Sequence, residues 1–384
     1  MELLTNDLAY FSSNYFEGRR RFLESTRGLP LDTQRARWSV PSRTETDLSV
    51  DSVYLPATAP GANLLVMLSG VHGLEGYAGS AIQSMFINEI LPRLDRRKFG
   101  VLLVHSLNPF GFKNHLRNTE NHVNLNRNCS TRPDLYRERN ADSLKMSERF
   151  IPRTAVDSMT CSLVQKRNQR DGRIHFDDVS MDNFIKAVGI GQWENAAGLE
   201  FGGFQNEPQI ADLIAELRVR MPEYRDVLLF DLHTGLGERG RLHLLTGDVE
   251  GSVDPTFFNE LFKPSEDAAI YDYTSADTEG FYKTLGATNN IFPELARPGQ
   301  RVCALTMEFG TLGHGLDDQV RSLNQWLLEH QGTHYGYAND ELGTKIRADY
   351  LEKFFPAAAD WRMMVIATSR ALFQKVFGRA GALN

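Results

Sequence analysis

LLVMLSGVHGLEG, residues 64–76, decides the fold. Six mostly apolar residues without polar alternation, Leu64–Ser69, read as a strand buried on both faces, as in a parallel sheet. They run straight into His72 and Glu75, set among glycines at 70, 73 and 76 that let the chain turn sharply. Three more such runs follow: VLLVHSL (101–107), VLLFDL (227–232) and VCALTMEF (302–309). LSVDSVYL (48–55) alternates as a strand does. Between them lie helical patterns. An opening amphipathic helix is expected over 8–25, then helices over 76–92, 211–221, 316–331 and 361–377. Strands alternating with helices imply an α/β fold: a mixed, largely parallel central sheet with helices on both faces.

The polar residues with chemical potential cluster at the carboxyl ends of these strands, where open α/β sheets form their ligand crevices. His72 and Glu75 are three apart, so one turn places both on one side. DLHTG (231–235) brings a second histidine, His233, to the end of another buried strand. His, Glu and His make the three-ligand pattern of a catalytic zinc, with the fourth position left to water. The plainer alternative is local hydrogen bonding, since an isolated H-x-x-E recurs by chance. NPFGFKNHLRNTENHVNLNRN (108–128) is dense in Asn and Arg. Arg117, Asn126 and Arg127 there suit binding a carboxylate and polarising a carbonyl, or else form a solvated turn-rich loop. Glu308 lies inside an apolar strand, where an acid must be paired, protonated or functional. It is a general base or one half of a salt bridge.

The 384 residues carry 42 basic and 49 acidic side chains, a formal net charge of −7, and 41% hydrophobic residues. Such a composition supports a sizeable core and gives no electrostatic reason to bind nucleic acid or anionic membrane. No apolar stretch approaches the ~20 residues of a bilayer span, and the N-terminus lacks a signal-peptide core. Three cysteines, Cys129, Cys161 and Cys303, are too few and too far apart for a disulfide framework or a Cys-x-x-Cys site. A cytoplasmic location is expected. Residues 130–190 are charge-rich and read as a helical insertion, anchored by Tyr136, Phe150, Ile151 and Leu163, within a single domain of residues 1–384. There is no G-x-S-x-G elbow and no G-x-G-x-x-G after a strand, so serine-hydrolase and dinucleotide-binding readings lack their signatures.

Taken in order, HGLEG, NPFG, Arg117, NLNRN, DLH and Glu308 resemble the zinc carboxypeptidase superfamily. The chain is most similar to a bacterial branch of carboxypeptidase-like hydrolases. That branch's motifs appear here as NYFEGRRRFL (14–23), SGVHGLEGYAGSAIQ (69–83), NPFGF (108–112), VNLNRN (123–128), GQWENAAGLEFGG (191–203) and DLHTGLG (231–237). The resemblance covers nearly the whole chain. It implies one Zn2+ per chain on His72, Glu75 and His233. Arg117 would polarise the scissile carbonyl, Asn126 and Arg127 would grip a terminal carboxylate, and Glu308 would be general base and acid. The implied activity is hydrolysis of an amide or peptide bond near a free carboxylate, in a small-molecule or peptide substrate. An N-acyl amino acid deacylase of the aspartoacylase type is the alternative, and a catalytically idle binding protein on the same fold a more distant one. Oligomeric state stays open.

Two positions depart from the superfamily. Asn124 stands where an Asp usually orients a zinc-bound histidine, which implies weaker metal binding unless a neighbour such as Asp231 compensates. The mobile tyrosine often found over the substrate has no aligned equivalent among Tyr271, Tyr273 and Tyr282.

Overall fold

Alternate side chains of each central strand enter opposite apolar layers, which is why these strands read as unbroken apolar runs. Leu65 and Met67 join Phe230, Leu305, Phe373 and Phe377 on one face. Leu64, Val66 and Leu68 join Leu213, Leu217, Leu229 and Ala304 on the other. The computed structural model describes residues 7–157, 167–170, 173–247, 249–274, 283–313 and 315–384.

The main sheet has eight strands: β1 (Gln34–Ser39), β2 (Ser49–Leu55), β3 (Asn63–Ser69), β4 (Phe99–His105), β8 (Asp226–Thr234), β9 (Leu242–Thr246), β10 (Tyr271–Thr274) and β11 (Arg301–Phe309). Their spatial order is β1-β2-β4-β3-β8-β11-β9-β10. The four central strands, β4, β3, β8 and β11, run parallel. β2 pairs antiparallel with β4 on one flank, and β9 antiparallel with β11 on the other. The helices Gly76–Met85 and Ala359–Arg379 cover the first face, and Pro208–Arg220 the second. This is the mixed, largely parallel sheet that the apolar runs imply. Its parallel core aims the carboxyl ends of β3, β8 and β11 at one edge of the molecule. Among the described residues no helix is long and apolar enough to cross a membrane.

Local chemistry sets the helix limits. The expected opening helix over 8–25 is split into a turn at Leu8–Tyr10 and a helix at Tyr15–Ser25. Asn14 caps the latter by accepting from Glu17 N at 3.0 Å, while Glu17 accepts from Ser13 N at 2.6 Å. The 130–190 segment holds helices Ala141–Phe150 and Met181–Gly189, and between them a three-stranded antiparallel sheet, β5 (Arg167–Arg170), β6 (Arg173–Phe176) and β7 (Val179–Ser180). The small sheet is a departure from an all-helical insertion. Phe150, Ile174, Phe176 and Phe184 pack with Val320, Leu323 and Leu327, so the segment rests on the helix Leu316–Tyr335. Cys161 and Leu163 lie outside the described residues.

Candidate metal centre

At the end of β3 the chain turns at Gly70, whose φ of +63° suits glycine, and reaches His72. A short 3-10 turn, Gly73–Glu75, follows. It is pressed so closely on the helix Pro109–Asn114 that a Cβ at Gly73 would collide with the Gly111 and Phe112 backbone. Backbone bonds from Gly73 N to Arg117 O and from Leu74 N to Leu116 O, both 3.1 Å, tie this turn to the Arg117 loop. β8 delivers Asp231 and His233, and β11 sets Glu308 in register directly beside His233. Parallel pairing therefore assembles residues more than two hundred positions apart in the chain.

Glu75 sits between the two histidines. Its Oε1 lies 2.9 Å from His72 Nδ1 and its Oε2 2.9 Å from His233 Nδ1. Thr234 N also donates to Oε2, at 3.2 Å. The three residues are 5%, 2% and 3% exposed for His72, Glu75 and His233, so water scarcely screens them. On the far side of each ring an oxygen meets Nε2. His72 Nε2 is 3.1 Å from Asn124 Oδ1, and because the Asn124 amide nitrogen donates to Glu200, its oxygen must be the acceptor and Nε2 the donor. Asp231 Oδ2 stands 3.0 Å from His233 Nε2 without hydrogen-bond alignment. With the proton on Nε2, His72 Nδ1 offers its lone pair toward Glu75 Oε1. Lone pair against lone pair is repulsive unless a cation lies among them. One ligand atom from each residue lies within 4.8 Å of the others. Two imidazole nitrogens and a carboxylate form a donor set that suits zinc, so the residues fit the implied ion.

Charge around the trio is strongly organised. Burial, then the Arg117 guanidinium, pushes His72 down to about 4. Burial opposes a charge on His233, yet the Asp231 and Glu75 carboxylates hold its pKa well above the usual range. Burial, then the Glu75 carboxylate, raises Glu308 to about 8, and Glu308 Oε1 accepts from Leu236 N at 2.8 Å. Arg117 pairs with Glu200, and Arg127 Nη2 lies 3.1 Å from the other oxygen of the same carboxylate. Arg127, 1% exposed, also donates to Gly189 O at 2.9 Å and Asn126 O at 2.6 Å. Asn126 Oδ1 accepts from Thr288 N at 3.0 Å, and the Thr288 hydroxyl reaches Asp231.

His72, Glu75, His233, Glu308, Arg117, Asn126 and Arg127 all line one cavity of about 520 Å3. The sequence singles out these seven, and the fold brings them together. Two further lining residues escape it. Glu200 is the buried acid that both arginines share; its signal is a lone carboxylate between Leu199 and Phe201. Lys353 lies in a helix, Asp340–Phe354, that the pattern does not reveal. That helix is fastened beside the trio by Thr234 Oγ1 donating to Phe354 O at 2.6 Å. Burial, then repulsion from Arg117, lowers Lys353 to about 7. Asp231 supports His233 rather than His72, so it does not offset the missing Asp at position 124 in the way the sequence suggests. Tyr271 is buried in the core, Tyr273 packs on Phe258 with ring centroids 4.5 Å apart, and neither lines the cavity. Tyr282 lies outside the described residues.

Among solved structures the chain is similar to a metallo-carboxypeptidase from Burkholderia cenocepacia, at 12% identity and a TM-score of 0.41 over 82% of this chain and 68% of that one. It is similar to carboxypeptidase A from Helicoverpa armigera, at 12% identity and 0.42 over 88% and 73%. It is also similar to an aspartoacylase family protein from Mesorhizobium loti, at 15% identity and 0.35 over 81% and 70%. No curated protein matches the chain. The family model described as "Protein of unknown function (DUF2817)" matches residues 11–368, nearly the whole chain, and the chain belongs to that family.

Proposed function

We propose that this protein is a zinc-dependent hydrolase that cleaves an amide or peptide bond near a free carboxylate. The observation that carries the reading is the trio itself: two buried imidazoles turn Nδ1 toward one carboxylate, with Glu308 beside them in the same cavity. A bound zinc supplies a Lewis acid there, which polarises a carbonyl and makes water ionisable near neutral pH.

The chain's own residues do the rest. Glu308 takes a proton from water as the water oxygen attacks the carbonyl carbon. It then delivers that proton to the amine nitrogen as the C–N bond breaks, releasing an acid and an amine. A carboxyl whose pKa is raised by burial is suited to both transfers. Arg117 donates to the oxygen on which charge develops, a role worth ~10²–10³ in rate in other acyl-transfer sites. Asn126 and Arg127 hold the substrate carboxylate, Arg127 with the planar fork that a lysine lacks. Arg117 and Arg127 are already oriented by Glu200, so little side-chain entropy is lost when substrate arrives.

The test is metal content and hydrolysis on one preparation. About one zinc per chain, together with release of amine from a panel of short peptides and N-acyl amino acids, is expected. Protein that takes up no zinc when it is supplied would overturn the reading. The panel also separates peptide cleavage from deacylation, since the free carboxylate lies on the released amine in both and only the acyl side differs, a peptidyl group in one and a simple acyl group in the other.

A further inference from the structure

We propose that Glu200 is a positioning residue for the metal, supplying negative charge to His72 through the side chain of Asn124. The inference rests on the zinc reading above and assigns a relay, His72–Asn124–Glu200, that the fold builds from three separate segments.

Asn124 is fully buried and sits between two partners with opposite demands. Its Oδ1 accepts from His72 Nε2 at 3.1 Å and from its neighbour Asn126 N at 2.9 Å. Its Nδ2 donates to Glu200 Oε2 at 2.6 Å. An amide can accept at one end and donate at the other, so it passes polarisation from the carboxylate to the ring. An ionised Asp in that position would set carboxylate against carboxylate.

Glu200 itself is held against local preference. It is 3% exposed, and its backbone has φ of +52°, the left-handed region in which a Cβ crowds the following carbonyl. Glycine would relieve that strain, and an apolar residue would avoid burying a charge. Backbone bonds from Gln192 N to Glu200 O at 3.1 Å and from Asn124 N to Phe201 O at 2.8 Å clamp the segment on both sides. Burial would raise its pKa, but Arg117 and Arg127 hold it down to about 2, so the carboxylate stays charged. Serving as counter-ion to two arginines explains the charge. It does not explain why the second oxygen, Oε2, also meets an amide whose other end fixes a metal-ligand histidine.

The two roles separate in a charge swap. Zinc affinity is measured by competition with a chromophoric chelator, without substrate, on native protein, Glu200→Gln, and the double variant Asn124→Asp with Glu200→Gln. The double variant moves the carboxylate next to His72 and lets the new amide at position 200 donate to it, keeping net charge and atom count. Glu200→Gln should weaken zinc ~10–100-fold, the range known for partners of metal-bound histidines. The double variant should recover to within a few-fold of native. Equal affinity of Glu200→Gln and native protein would overturn the relay. So would a double variant no better than the single, because Glu200 would then act through its arginines alone. Should Glu200→Gln fail to fold, Glu200→Asp keeps the charge but withdraws it by one methylene. That variant should lose at least ~10-fold, toward the lower end of the same range, and native-like affinity would again overturn the relay. If native protein itself binds no zinc, the hydrolase reading fails, which is a different result.

Discussion

Lys353→Met tests whether a charged amine is held in the cavity against its own stability. The ammonium is 7% exposed, donates to Ser322 O at 3.1 Å, and lies 4.8 Å from the Phe354 ring centroid and 6.0 Å from that of Trp326. Burial, then Arg117, lowers its pKa from 10.5 to about 7, against the pull of Glu200, Glu75 and Glu308. That gap corresponds to roughly 5 kcal/mol of disfavoured charge. For a base whose folded pKa is depressed, the penalty is full below about pH 7, shrinks as pH rises, and vanishes above 10.5. Methionine keeps the aliphatic contact with the rings and removes the charge, but forfeits a charged hydrogen bond worth about 1.5–3 kcal/mol. The variant should therefore be about 2–3 kcal/mol more stable than native at pH 6, with that gain gone near pH 9.5. Urea unfolding of metal-free protein at the two pH values reads this directly. A gain equal at both, or a loss at pH 6, would refute the argument. On the proposed hydrolase reading, protonated Lys353, which lines the same cavity, would be a further cation for an acidic substrate. Lys353→Met should accordingly raise KM for carboxylate substrates more than for their amides.

Three other outcomes follow from the same geometry. Glu308→Gln should lower turnover ~10²–10⁴-fold while one zinc per chain remains by metal analysis, and unchanged turnover would remove the proton-transfer role. His233→Ala should lose most of its zinc, because one of three ligands is gone; full stoichiometry would mean that the trio does not hold the ion. Burial raises Glu329 from 4.5 to about 7. Its ionised form therefore destabilises the fold increasingly from pH 4.5 to 7 and fully above. Glu329→Gln should add roughly 3 kcal/mol at about pH 8 and little at about pH 4.5, read by urea unfolding at both.

The strands that carry the site are legible because they are buried on two faces. Such strands cannot hide their composition: β3, β4, β8 and β11 are built on buried apolar runs, and the polar residues toward their carboxyl ends stand out. β1 reads QRARWS and is mostly exposed at a sheet edge, so no burial pattern marks it. β10, YDYT, is four residues long, below the length at which alternation separates from chance. The buried positions of the helix Asp340–Phe354, Gly343, Ile346, Tyr350, Lys353 and Phe354, do recur at helical spacing, but a glycine and a lysine among them thin the apolar stripe between many charged residues. Lys353 is lost with it. Glu200 is lost for another reason. Its meaning lies in three partners, Arg117, Arg127 and Asn124, that only tertiary packing brings to it, and an acid read alone carries no such information.

The two histidines are supported unequally, and the difference joins the proposed metal site to the proposed substrate contacts. His233 has a carboxylate, Asp231, at its far nitrogen, and Asp231 is held by the Thr288 hydroxyl. Thr288 N in turn donates to Asn126, one of the residues proposed to hold the substrate. His72 meets an amide, Asn124, and behind it Glu200, which anchors Arg117 and Arg127. Each of the two histidines thus ends a chain of polar contacts that begins at a proposed substrate contact. Such a network polarises as a unit, so altering one end changes the other. Substitutions at Arg127 or Asn126 should for this reason combine non-additively with substitutions at Asn124 or Asp231, with which they share Glu200 and Thr288. On the proposed zinc reading, the arrangement would also account for a neutral Asn beside His72. The carboxylate of Glu200 stands one residue further out, where it also contacts two arginines.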